Sequence, residues 1–294
     1  MNEIVINMPQ TDALGLSENW LLKHCGDLHW QRIYEALGTK GAHSELMRDE
    51  AGSQLYPTFV AIRCRYDTPL GCVRTGARFR SRAEMARFGT TFFNSNIIFE
   101  SEDAHFTLEM LTTFAARDEE GGNALHRSVP LARCTGNCLT LAAAPPLLKT
   151  GQSLRHGDLH RYDILGHRIP LGNTPEVAST AYEPSPYFDY NGAGLLYFAA
   201  YPTIADTAER KMIMENRLFE GGRDWALITS TVGRDLFYHR NLNLGDGVLV
   251  RIKSMKREGE DFVIHTALSS ERQGESLADV FTVKRLLAYS PSFY

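Results

Sequence analysis

Three groups of residues in this chain have the types and spacing to do chemistry. The run Asp189-Tyr190-Asn191-Gly192-Ala193-Gly194 sets a carboxylate, an amide and two glycines ahead of a long apolar stretch. A glycine turn leading into a helix exposes backbone N–H groups with little obstruction, which suits Asn191, Gly192 and Gly194 to binding a substrate and stabilising its oxyanion. The same glycines equally serve a tight strand-to-helix turn. His239 and Asn241 either orient a polar group at a cavity mouth or belong to a solvated loop. In Arg87–Glu100, Ser95 shares the parity of Phe93, Ile97 and Phe99, with Asn94 and Asn96 on the other side. Ser95 and Asn94 are candidate ligand-binding groups; the alternative for Ser95 is a core hydroxyl that finds a partner within the protein. Asp206 and Glu209 are expected on the polar face of their helix. Cys134 and Cys138 have no second Cys/His pair nearby, so no metal site is expected. The chain has no P-loop, dinucleotide-binding glycine fingerprint, HExxH or GxSxG motif.

The elements that must position these groups repeat in outline. Pro186–Ile213 reads as a short strand, a glycine turn and a long apolar helix, followed by strand patterns at about 225–232, 246–256, 261–270 and 278–288. In the first half a helix from Ser17 to Leu37 has Ser17 as N-cap, a stripe of Leu21, Leu22, Cys25, Leu28, Ile33 and Leu37, and Gly38 at its stop; Gly26 is expected to break or bend it. Strand patterns follow at about 57–66, 73–81, 90–101 and 104–116. In the first of them Thr58, Val60, Ile62 and Cys64 are expected to form the apolar face, a parity that Tyr56 shares. A helix followed by a strand meander, twice over, resembles a double hotdog: an α+β fold in which each of two central helices is wrapped by an antiparallel sheet. The domains are then 1–141, a Pro/Gly-rich crossover over 142–186 with few elements beyond a strand at 158–165, and 187–294.

Four stretches resemble the leinamycin-pathway acyltransferase/decarboxylase family of double-hotdog proteins: Glu18–Trp30, Gln54–Arg63, Arg87–Glu100 and above all Pro186–Arg210. That resemblance implies decarboxylation of a malonyl-type acyl-CoA, such as methylmalonyl-CoA, and transfer of the acyl group to the phosphopantetheine thiol of an acyl carrier protein. It also implies that Tyr56, in the Gln54–Phe59 segment, is the catalytic residue that carries the acyl group. Coenzyme A then enters as part of the substrate, and no cofactor is expected. A phenol ionises near pH ~10, so such a tyrosine needs local help to attack a thioester. The alternatives are a catalytically silent scaffold that binds acyl-CoA or carrier protein, and a hotdog thioesterase. Against the thioesterase, the D-x-N-G-H-V-N-N pattern common at this turn keeps Asp189 but lacks the histidine and both later asparagines.

Seven arginines between Arg63 and Arg87 face only Asp67 and Glu84. Arg78 and Arg80 are candidates to dock an acidic carrier protein or coenzyme phosphates, although their alternation also fits an ordinary solvent face. Over the whole chain 31 basic and 35 acidic residues nearly cancel, which favours neither nucleic acid nor a membrane as partner. No apolar run reaches the ~20 residues of a membrane span, and the amino-terminal residues do not resemble a secretion signal. A cytoplasmic location is expected, with the five cysteines reduced; a homodimer is compatible with the fold.

Overall fold

The structure, a computed structural model, describes residues 2–38, 47–117, 125–127, 138–172, 175–219 and 224–287. Cys134, half of the cysteine pair considered above, lies outside them. In the first half a short strand β1 (Asn2–Val5) leads to helix α1 (Glu18–Ala36) and then to four strands, β2 (Leu55–Tyr66), β3 (Arg78–Phe88), β4 (Phe92–Glu100) and β5 (His105–Arg117). The connection holds β6 (Leu125–Arg127), β7 (Leu139–Thr140), helix α2 (Pro146–His156) and the hairpin β8 (Arg161–Ile164) with β9 (His167–Pro170). The second half repeats the plan: β10 (Ala178–Tyr182), α3 (Ala200–Glu215), a helical turn α4 (Trp225–Ile228), then β11 (Thr229–Tyr238), β12 (Val248–Glu258), β13 (Asp261–Ser270) and β14 (Ser276–Leu286).

One continuous sheet runs β1-β3-β4-β5-β2-β11-β14-β13-β12-β10. Each half therefore has the same internal order, and the halves meet antiparallel at β2 and β11. This is a double hotdog of the α+β class. The crossover is richer in elements than the sequence predicts: it contains α2, a hairpin and β10, the first strand of the second sheet. Its prolines do not exclude a helix: Pro145 is the N-cap and Pro146 the first residue of α2, where the missing N–H costs no hydrogen bond.

Both central helices lie on one face of the sheet and bury their apolar stripes there. Ser17 caps α1, its Oγ accepting the Trp20 N–H at 3.4 Å, and Gly38 follows its end with φ 71°. Gly26 does not interrupt α1. Its role is close approach, because a Cβ there would lie 2.5 Å from Cζ of Phe198. Asn19 Nδ2 ties α1 to the start of α3 through the Ala199 carbonyl (2.8 Å) and Thr203 Oγ1 (3.1 Å). On the opposite face α2 and the β8–β9 hairpin cover the middle strands, so Ala61, Leu111, Phe237 and Phe281 join a second apolar cluster with Leu147, Leu148 and Tyr162. All of β11 is consequently buried, and strict in–out alternation fails at the centre of the molecule.

A buried ion network stitches the halves together. Arg234 of β11 is fully buried and bonds Glu18 of α1 and Asp206 of α3, each at 2.9 Å. Lys284 of β14 reaches Asp206 (2.7 Å) and Glu209 (3.5 Å), and Thr266 donates to Glu209 at 2.6 Å. Glu209 is thus buried within the network instead of lying on a polar helix face. Burial pushes the Glu18 and Glu209 carboxyls up; against burial, Arg234 and Lys284 draw Asp206 below the usual carboxylate range. Among the described residues, no helix is long and apolar enough to cross a membrane.

Candidate functional site

The join between the two sheets opens at one end. β2 pairs with β11 from Ala61 to Arg65 against Phe237 to Gly233, and beyond the Ala61–Phe237 pair the strands diverge. A β-bulge assists the divergence: Phe59 and Ala61 oppose consecutive residues Thr112 and Leu111, leaving Val60 as the extra residue. A cavity of about 630 Å3 occupies this fork, walled by Pro57–Val60, the α2 side chains Leu148 and Gln152, the segment Leu195–Phe198, and Phe237–Asn241. Its apolar part is aromatic, with Trp30, Phe59, Phe198, Tyr201 and Tyr238. The Phe59 and Phe198 rings pack 4.1 Å apart.

At the polar end, His239 follows directly on β11. Its Nε2 lies 2.8 Å from Asp279 Oδ2, and the other carboxylate oxygen of Asp279 lies 2.7 Å from Nε2 of His265. Sheet register places Asp279 opposite Phe237 on one side and Ala267 on the other, within reach of both histidines. Burial alone would raise the Asp279 carboxyl, but the hydrogen bonds from His239 and His265 hold it well below the usual range, as a carboxylate. A carboxylate only accepts, so each Nε2 carries the proton and a neutral His239 keeps its lone pair on Nδ1. That Nδ1 is buried, with no hydrogen-bond partner among the described residues. His239 lines the cavity and also an adjoining hollow of about 650 Å3 that reaches Asp279. A positioned imidazole backed by a carboxylate can accept a proton from a nucleophile and return it to a leaving group. Among the described residues, no group of His, Cys, Asp and Glu is arranged to hold a metal ion.

The structure distributes the predicted site residues unevenly. Asn191 and His239 both line the cavity. Asn241 does too, but its amide clamps the chain: Oδ1 accepts the Leu196 N–H at 2.9 Å and Nδ2 donates to the Leu196 carbonyl at 3.1 Å. Gly192 and Gly194 are not in the wall, and their turn does not open a helix. Tyr190 and Leu196 form a bridge, and α3 starts only at Ala200. Within the turn Asn191 Oδ1 accepts the N–H groups of Ala193 and Leu195, both at 3.0 Å, and the Gly194 N–H bonds the Asn191 carbonyl at 2.9 Å. These donors are committed to the turn, which corrects the expected helix-terminus oxyanion site. Asp189 is likewise engaged, by the Ser185 N–H and the Tyr182 hydroxyl.

Ser95 is fully buried away from the cavity, 2.6 Å from His29 Nδ1, while Thr112 Oγ1 lies 2.9 Å from His29 Nε2. Burial lowers His29 to about 3, so it is a neutral core histidine and Ser95 its partner. Asn94 faces the other side of β4 and donates to Glu109 at 3.2 Å. Neither residue lines the cavity. Tyr56 is also outside the wall, which begins at its neighbour Pro57. The bulge at Val60 also takes Tyr56 off the helix-facing side: ahead of it the helix-facing parity is that of Leu55 and Phe59, and only after it that of Ile62 and Cys64. The Tyr56 ring instead carries the Arg117 guanidinium 5.3 Å from its centroid, and Arg117 also donates to the Ala193 carbonyl. Tyr56 and the glycine turn are thereby brought together through Arg117. Arg78 pairs with Glu3 at 3.1 Å, and both Arg78 and Arg80 are exposed on β3, outside the cavity wall.

The repeat predicts a second fork at the other end of the β2–β11 join, and it is closed. There the short turn Leu70–Cys72 packs in, the Gly71 N–H bonding Ser230 Oγ at 2.8 Å, and a Cβ at Gly71 would lie 3.2 Å from that oxygen. Asp279 and His265 are the site residues that sequence reasoning missed. Their signal was a carboxylate and an imidazole inside otherwise apolar strands, Leu277–Val283 and Phe262–Leu268.

No protein-family model and no curated protein sequence matches this chain. Solved structures do. A protein assigned as an oleoyl thioesterase from Lactobacillus plantarum is similar with TM-score 0.63 and 12% identity, over 98% of this chain and 95% of that one. The 12:0-ACP thioesterase from Umbellularia californica gives 0.59 and 9% identity over 97% and 96% of the two chains. An acyl-ACP thioesterase from Bacteroides thetaiotaomicron gives 0.54 and 12% identity over 97% and 96%. At these identities the likeness is one of fold, and over nearly the whole chain that fold is the double hotdog.

Proposed function

We propose that this chain is an enzyme that binds an acyl thioester in the fork cavity and acts on its carbonyl from His239. The observation that carries the reading is the His239–Asp279 pair, with His239 in the wall of a cavity whose other end is aromatic and its buried Nδ1 without a hydrogen-bond partner among the described residues. The three similar folds named above belong to proteins assigned to acyl thioesters, which supports the substrate class. In hydrolysis, His239 Nδ1 takes a proton from water as the oxygen attacks the carbonyl carbon. The C–S bond then breaks, and the imidazolium returns the proton to the departing thiolate, leaving a carboxylic acid and a thiol. A second phosphopantetheine thiol in place of water makes the same sequence an acyl transfer, with acyl-CoA and an acyl carrier protein as donor and acceptor.

A second reading is the decarboxylase and acyltransferase of the leinamycin-pathway family, with Tyr56 as acyl carrier. Arg117 supports it by joining the Tyr56 ring to the 190–196 turn. Loss of carbon dioxide leaves an enolate, and proton return to its carbon gives the acyl group that the phenol oxygen would accept from sulfur. On this reading Arg78 and Arg80 would dock the carrier protein. Incubation with a saturated acyl-CoA, malonyl-CoA and methylmalonyl-CoA, with and without carrier protein, separates the two. Thiol release that depends on His239 supports the first reading; carbon dioxide and an adduct mass on Tyr56 support the second. Neither thiol release nor carbon dioxide from any of them would refute both.

A further inference from the structure

We propose that Arg127, Arg155 and Arg240 form an anion site at the cavity mouth that binds a phosphate of the thioester's leaving group, whether coenzyme A or a carrier-tethered phosphopantetheine. The inference rests on the thioester reading and adds the group that anchors the arm. The three guanidiniums come from separate elements, β6, the last turn of α2 and the segment after β11, and all three line the cavity. Arg155 and Arg240 line the adjoining hollow as well. Their closeness shows in Arg155, which burial and then the Arg127 and Arg240 charges press below its usual value.

Arg155 and Arg127 are held by groups that carry no charge. Arg155 donates to the Tyr238 carbonyl at 3.3 Å, and Arg127 sits 4.8 Å from the centre of the Phe92 ring. Among the described residues only Arg240 has a carboxylate partner, Glu275 at 3.1 Å, and that pair is largely exposed. The other nearby acid, Asp279, is committed to its two histidines. Among the described residues, three cations and one paired carboxylate, Glu275, therefore stand at the rim of the cavity. Like charges brought together repel, a cost that a bound dianion offsets, and guanidinium forks match phosphate oxygens two at a time.

The test is equilibrium binding of pantetheine, 4′-phosphopantetheine and coenzyme A to the whole chain and to Arg127→Gln and Arg240→Gln. The site predicts that the phosphorylated ligands bind at least about tenfold tighter than pantetheine, since hydrogen bonds to charged groups have that order of effect. Each variant should narrow that ratio, and so should raising the salt concentration. A further gain from 4′-phosphopantetheine to coenzyme A supports the free coenzyme as the source; tighter binding of phosphopantetheinylated carrier protein supports the tethered arm. Pantetheine binding as tightly as coenzyme A, with both variants indifferent, would overturn the anion site and leave the thioester reading standing. If no thioester or thiol arm binds at all, both fall.

Discussion

Replacing Gly26 by Ala tests whether the cavity floor is set by the packing of α1 on Phe198. The new Cβ would lie 2.5, 3.0 and 3.5 Å from Cζ, Cε1 and Cε2 of that ring, where unstrained carbon contacts need about 3.5–4.0 Å. The ring must move by roughly 1 Å. Phe59 at 4.1 Å and Tyr197 at 4.7 Å between centroids brace it, and the Phe198 carbonyl is fixed by the Tyr238 hydroxyl at 3.0 Å. Cavity space is the open direction, since Phe198 is part of that wall. Alanine favours a helix over glycine by ~1 kcal/mol, whereas overpacking a buried site costs ~1–3 kcal/mol. A net loss of about 1 kcal/mol is expected, or ~2–4 °C in melting temperature for a chain of this size. Urea unfolding of Gly26→Ala, Phe198→Leu and the double variant measures it: the double variant should recover the loss caused by the alanine, with coupling of about 1 kcal/mol. A Gly26→Ala protein more stable than the parent, with no coupling to Phe198, would refute the packing argument.

The other predictions concern the buried polar groups. Ser95→Ala strands one nitrogen of His29 and should cost ~1–3 kcal/mol in urea unfolding while leaving thioester turnover unchanged; a turnover loss with full stability would return Ser95 to the site. Arg234→Met leaves Glu18 and Asp206 facing Lys284 alone and should cost ~3–5 kcal/mol, about 10 °C in melting temperature, which a thermal melt reads. His29 is about 3 in the folded chain and ~6.5 when unfolded, so the unfolded state binds the extra proton between those values. Its contribution is complete above pH ~6.5 and falls as pH drops toward 3, by up to ~1.4 kcal/mol per pH unit; the stability difference between the parent and His29→Gln should show that slope.

The doubled helix-and-meander plan was legible because each central helix carries an apolar stripe and each meander strand a run of β-formers. Ser17 as cap and Gly38 at the stop were readable for the same reason: the signals are local. What escaped depended on register. The bulge at Val60 shifts the parity of β2 by one, which moves Tyr56 off the helix-facing side, and no residue type there announces it. α2 was hidden behind Pro145 and Pro146, and β10 is a five-residue strand of small and polar residues. His239 could be singled out from its type and place after a strand, but Asp279 lies 40 positions on, and only the β11–β14 pairing brings the two together. The glycine turn is legible as a turn but does not start the helix, since five residues lie between Gly194 and Ala200.

The most direct test of the proposed chemistry is the rate of thiol release from a saturated acyl-CoA by His239→Gln, measured beside the parent under saturating substrate. A positioned general base contributes ~10²–10⁴-fold, so kcat should fall by at least about a hundredfold while the far-UV circular dichroism is retained. Thiol release at the parental rate by the folded variant would contradict a catalytic role for His239 and, with it, the assignment of the fork cavity as the active site.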